Sequence, residues 1–141
     1  MAVASAFLFG LAFTVVNPAL ADSFRCELQN VVRQSETGAL DGEVIFPNLM
    51  ETAIVVDRDT GKVFHPFFGN ENYANREVLD YGSSHSSFKV ISYSDLVSPP
   101  IEGEAGVRNF AMFIVHTHVD NQKKPFIAYD TLSTIGTGVC Q

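Results

Sequence analysis

The residues best placed to do chemistry in this 141-residue chain are His116 and His118, two apart in the run RNFAMFIVHTHV. On a β-strand, side chains at i and i+2 share a face, so both imidazoles would point the same way and could share a metal ion. A structural zinc needs four protein ligands and a catalytic zinc three, so further donors would have to come from His65, His85, Asp120 or Asp130. Their linear spacing selects none of them. The pair alone predicts two histidines at the half-exposed end of a strand, with no tight metal site and no cofactor. The alternative is a metal-binding protein or metalloenzyme that uses His116 and His118.

Other combinations fail one by one. Gly82-Ser83-Ser84-His85-Ser86-Ser87 sets hydroxyls beside an imidazole. A serine nucleophile, however, needs a base facing it across the fold and an orienting acid, and the Gly-x-Ser-x-Gly elbow is absent. Asp57-Arg58-Asp59-Thr60-Gly61 opens like a calcium loop, but Gly61 lacks a side-chain oxygen, and Phe68 stands where a bidentate Glu belongs. Asp and Gly there suit a tight hairpin. Glu102 and Glu104 lie in a Gly-rich stretch and read as a solvated face. No phosphate-binding loop, dinucleotide fingerprint or Cys-x-x-Cys is present. These failures favour a non-enzymatic protein.

A second kind of candidate is a binding surface. Phe64, Phe67, Phe68 and Tyr73 surround the polar segment Gly69-Asn70-Glu71-Asn72. Aromatic rings beside amides suit a sugar or peptide, and they equally suit the apolar plug of a barrel end. Phe67, Phe68, Asn70 and Tyr73 are the candidate ligand-binding residues.

The elements that must position these residues read as strands. Twelve phenylalanines accompany many Val, Ile and Thr, and turn residues recur about every ten positions. Strands are expected over 26–33, 42–46, 52–57, 62–68, 77–81, 87–93, 108–119, 126–132 and 135–140. The segments 52–57 and 62–68 flank Arg58-Asp59-Thr60-Gly61 as a hairpin, with Gly61 supplying a positive φ. Segments 70–76 and 95–106 read as loops, the second carrying Pro99, Pro100, Gly103 and Gly106. No helix with a clear apolar face is expected beyond the amino terminus. The fold class is therefore all-β, a single small antiparallel β-sandwich or β-barrel of roughly eight strands.

Residues 1–21 carry no charged side chain and run apolar from Ala6 to Val16 before Asn17-Pro18 and Ala19-Leu20-Ala21. That is the pattern of a secretory signal peptide cleaved before Asp22, although no Lys or Arg precedes Arg25. Cleavage leaves one domain over 22–141, and every charged residue falls within it, so the net charge of −7 is retained. A surface that negative repels phosphate backbones, which excludes nucleic acid as a partner. No stable membrane insertion is expected after cleavage.

Cys26 and Cys140 stand near the two ends of that domain. In an oxidising compartment they are expected to pair, which brings both ends together as neighbouring strands. The sequence thus predicts an exported, periplasmic or extracellular β-domain. It would bind a protein, glycan or small ligand through loops at one end of the sheet.

Overall fold

The computed structural model describes residues 22–41, 47–69, 73–95 and 108–141. The expected signal peptide over 1–21 and the expected strand over 42–46 lie outside the described residues. The strands are β1 (Ser23–Gln34), β2 (Leu40–Asp41), β3 (Ile54–Asp57), β4 (Val63–Phe64), β5 (Asn75–Tyr81), β6 (Phe88–Tyr93), β7 (Phe110–Val115), β8 (Lys124–Asp130) and β9 (Thr134–Cys140). One short helix, α1 (Pro47–Met50), precedes β3.

All the described strands join one antiparallel sheet in the order β4-β3-β1-β9-β8-β7-β6-β5, with β2 attached to the end of β1. The sheet curls into a half-barrel. The curl brings Phe24 on β1 edge to face with Phe88 on β6 at 5.4 Å, although β9, β8 and β7 lie between their strands. Arg58, after β3, likewise reaches the carbonyl of Tyr81 on β5 at 3.5 Å and lies over the Phe24 ring. The two ends of the sheet thus approach each other over one core.

Alternation along the inner strands of the sheet fills that core. Phe88 and Val90 on β6, Phe113 and Val115 on β7, and Phe126 and Ala128 on β8 are buried at every second position. On β1 the inward set begins as Phe24, Cys26 and Leu28 but continues at Val31. A bulge between Leu28 and Asn30 explains the change, because one extra residue moves the inward face from even to odd positions.

On β9 two inward positions are glycines, and aromatic rings occupy the space. A Cβ on Gly136 would overlap the Phe68 ring, and one on Gly138 would strike the Glu27 carbonyl and the Phe126 ring. Phe68 is 2% exposed and belongs to the core.

Cys26 faces Cys140 across β1 and β9 and forms the disulfide between them. The adjacent pair Arg25 and Gln141 exchanges both backbone hydrogen bonds at 2.9 Å. The cysteines therefore sit at a non-hydrogen-bonded site, where the two chains come closest. Both cysteines are buried, so the bridge is part of the core.

Several strand limits differ from the sequence expectation. The 62–68 segment is a strand only at Val63–Phe64 and then closes a turn, with the Gly69 amide donating to the His65 carbonyl. The expected loop 70–76 ends earlier, since β5 starts at Asn75. The strand expected over 108–119 spans only Phe110–Val115.

Candidate functional site

The sheet registers put the turns after β3, β5 and β7 at one end of the half-barrel. They put Asn75, Tyr93, Phe110 and the turn after Asp130 at the other. Of the candidate residues, His116 and His118 fall at the first end and Tyr73 at the second.

His116 and His118 follow β7 and are not on a strand, which corrects the premise that a pleat aligns them. The chain turns at once: the Thr117 amide donates to the Val115 carbonyl and the Val119 amide to the His116 carbonyl. The Thr117 hydroxyl donates to the Ser86 carbonyl at 2.6 Å, tying this turn to the 82–87 turn. The two rings nonetheless come together. Ser87 Oγ lies 3.1 Å from His116 Nδ1 and 3.3 Å from His118 Nδ1, and the ring centroids are 5.6 Å apart at a right-angled setting. Ser87 is 7% exposed, whereas His118 is open to solvent. A hydroxyl has one proton, so with both rings neutral it donates to one Nδ1 and accepts from the Nδ1–H of the other.

The third donors weighed from the sequence are not brought to this pair. Among the described residues no group of three or more His, Cys, Asp or Glu side chains has the spacing to hold a metal ion. Asp130 is buried at the opposite end, where its Oδ1 accepts from the amides of Leu132 and Thr134. His65 is 7% exposed, and its Nδ1 accepts from the Phe67 and Phe68 amides at 3.3 and 3.1 Å. Its proton therefore sits on Nε2, which makes no well-formed hydrogen bond among the described residues, the Leu49 carbonyl exerting only a weak pull on the ring. Burial disfavours the imidazolium and pulls the pKa down, against a smaller upward influence from the Leu49 carbonyl.

The serine-rich and aspartate-rich turns do structural work. Ser83 Oγ accepts from the amides of His85 and Ser86, which closes the 82–87 turn locally. Asp80 accepts from the Gly82 amide, the Ser86 hydroxyl and Lys89. These contacts, the Gly82 amide foremost, hold its carboxyl below the usual range. Asp57 accepts from the Thr60 amide at 2.9 Å, and that bond is the main cause of its lowered pKa. Gly61 at φ 69° lies over Val78 and Val90, so a side chain there would be strained and would also collide with the core.

At the other end, Tyr73, Asn109, Thr131 and Leu132 line a shallow recess of about 180 Å³ that opens to solvent. Tyr73 is half-buried, Asn109 is exposed, and Leu132 is 59% exposed. Burial, with the Asp130 carboxylate adding to it, raises the Tyr73 phenol above its ordinary value. It therefore remains a hydrogen-bond donor at neutral pH.

Of the four binding residues read from the sequence, Tyr73 lies in this recess and Asn70 lies outside the described residues. Phe67 is partly buried against the core, and Phe68 is within it. Asn109, Thr131 and Leu132 were not singled out from the sequence. The available signal was Asp130 followed by Thr131, Ser133 and Thr134, a set of turn formers, yet the strand expected over 126–132 runs through the first two of them, whereas β8 ends at Asp130.

The fold and these sites define a class, a disulfide-closed all-β half-barrel with a polar turn cluster at one end and an aromatic–amide recess at the other. No protein-family model, curated protein or solved structure matches this chain.

Proposed function

We propose that this chain is an exported, non-enzymatic β-module that binds a protein, glycan or small ligand through the end of the sheet bearing Tyr73, Asn109, Thr131 and Leu132. The carrying observation is the composition of that recess: an aromatic ring, an amide, a hydroxyl and an exposed leucine around one opening. A few polar groups that fix orientation, set among apolar surface, is how small-ligand pockets gain specificity. The Tyr73 phenol donates, the Asn109 amide does both, and Leu132 offers apolar contact.

Export is supported by the buried Cys26–Cys140 bridge, since such bonds persist in oxidising compartments and are rare in reducing ones. No helix among the described residues is long and apolar enough to cross a membrane. A net charge of −7 disfavours polyanionic partners.

The test is a titration of the 22–141 chain with hits from glycan, peptide and metabolite libraries, repeated on Tyr73→Ala and Leu132→Ser. A hit that binds unmodified and loses about tenfold or more in affinity in either variant supports the reading. Binding indifferent to both substitutions, or chemical turnover of the hit, overturns it.

A further inference from the structure

We infer that the recess of Tyr73, Asn109, Thr131 and Leu132 takes one uncharged sugar ring, a neutral pyranose. This rests on the reading of that recess as a binding site and adds the chemical class of its ligand.

Charge narrows the class first. None of the four lining side chains is ionised at neutral pH. The Asp130 carboxylate, which acts on the Tyr73 phenol through space, acts equally against any anion seated beside that phenol. Asp130 is itself buried, and its Oδ1 is taken by the Leu132 and Thr134 amides, so it is not offered to a cation in the recess. Arg108 precedes Asn109 but lies over the Tyr93 ring, 5.7 Å from its centroid, and is not part of the lining. The ligand that fits therefore carries no charge.

The hydrogen-bonding groups then select hydroxyls. The Tyr73 phenol and the Thr131 hydroxyl each donate and accept, and the Asn109 amide sets a carbonyl beside its NH2. Among the described residues these three side-chain groups make no hydrogen bond to the protein. A sugar hydroxyl also donates and accepts, so each one can answer any of the three. A peptide backbone, in contrast, presents its donors and acceptors at fixed and separate places. Exposed Leu132 and the Tyr73 ring supply apolar contact for the C–H faces of a pyranose.

These groups are held ready. The Ser94 amide donates to the Asn109 carbonyl at 2.8 Å, and the Asn109 amide donates to the Ser94 hydroxyl at 3.0 Å. The Thr131 amide donates to the Phe110 carbonyl at 3.0 Å, and the Ser133 amide to the Asp130 carbonyl at 3.1 Å. Ser133 has a φ of 61°, a left-handed conformation that a non-glycine residue adopts at a cost. The turn that presents Thr131 and Leu132 is thus kept in shape by its own bonds, and such preorganisation favours binding. The recess of about 180 Å³ has the volume of roughly six water molecules, which suits one ring lying partly in solvent.

The test is backbone-amide NMR of the 22–141 chain titrated with the methyl glycosides of glucose, galactose, mannose and N-acetylglucosamine. The uronic acid matching whichever glycoside binds is measured beside it. At least one neutral glycoside should shift Tyr73, Asn109, Thr131 and Leu132 saturably, with a millimolar dissociation constant as expected for so small a ligand. The matching uronic acid should bind at least about tenfold more weakly. Thr131→Val, which keeps the side-chain shape, and Asn109→Ala should each weaken the neutral glycoside by about fivefold or more.

Equal binding of the neutral ring and its uronic acid, read on the unmodified protein, would overturn the inference, as would affinity unchanged in both variants. A library peptide or charged metabolite that saturates the recess while every glycoside leaves it unmoved at about 50 mM overturns the sugar assignment and leaves the binding site standing. Glycoside shifts confined to other residues, or no shift from any glycoside or library compound, overturn both.

Discussion

Replacing both cysteines by alanine, Cys26→Ala with Cys140→Ala, should cost this domain a large share of its stability while leaving the fold intact. The bridge closes a loop with a sequence separation of 114. In the chain-entropy model that closure removes about 16 cal/mol/K from the unfolded ensemble, or about 5 kcal/mol at 25 °C. Residual structure in the unfolded chain reduces such values, so a loss of about 3–5 kcal/mol is expected. Alanine is preferable to serine because both positions are in the core, where a new hydroxyl would need a partner. For a domain of this size the melting midpoint should fall by roughly 10–25 °C. Guanidinium denaturation followed by circular dichroism measures the difference. The unbridged chain should also unfold with a larger m-value, since its unfolded state exposes more surface. A loss under about 1 kcal/mol would refute the reasoning, because it would mean that the bridge does not restrict the unfolded chain.

Four further outcomes follow from the packing and from the sequence. Phe113 stacks on Phe126 at 4.9 Å inside the sheet, so Phe113→Ala should lose about 3–5 kcal/mol in the same assay. Gly138→Ala drives a methyl group into the Glu27 carbonyl and should lose about 1–3 kcal/mol, read as a lowered thermal midpoint. Burial lowers the His65 pKa, so the unfolded chain takes up this proton first as pH falls from the ordinary value of 6.5. Stability is then fully present above that value and is lost below it, by at most about 1.4 kcal/mol per pH unit, until the lowered folded value is passed. His65→Asn should flatten this dependence in denaturation curves taken across that range, and an unchanged slope would assign it to other groups. Intact mass of protein secreted from the full sequence should correspond to a chain starting at Asp22, with no alkylation before reduction; two alkyl groups would sink the bridge.

Much of the fold is legible in the sequence because alternation is a local signal. The 88–93 stretch reads apolar at 88 and 90 and is buried there, and the Asp57–Gly61 turn carries the side chains its hydrogen bonds need. Cys26 and Cys140 near the chain ends foretold the pairing of β1 with β9.

What failed to show was set by tertiary contacts. His-Thr-His continues the period of two beyond Val115, so nothing local marks the strand's end; the bond from Thr117 to the 82–87 turn does that. For the same reason Ser87 gave no hint that it would bridge two rings 29 and 31 residues away. The aromatic cluster at 64–73 reads alike as plug or patch. Phe68 is inside because Gly136 leaves space for its ring on another strand, while Tyr73 stands at the recess. The β1 bulge is equally silent, because an extra residue in a long strand has no compositional mark.

Backbone-amide NMR during titration of a library hit decides whether this half-barrel binds a ligand at the end carrying Tyr73. Saturable shifts should concentrate at Tyr73, Asn109, Thr131 and Leu132, with the hit recovered unchanged. Shifts confined to the opposite end around Ser87, His116 and His118, or conversion of the hit into product, would contradict it.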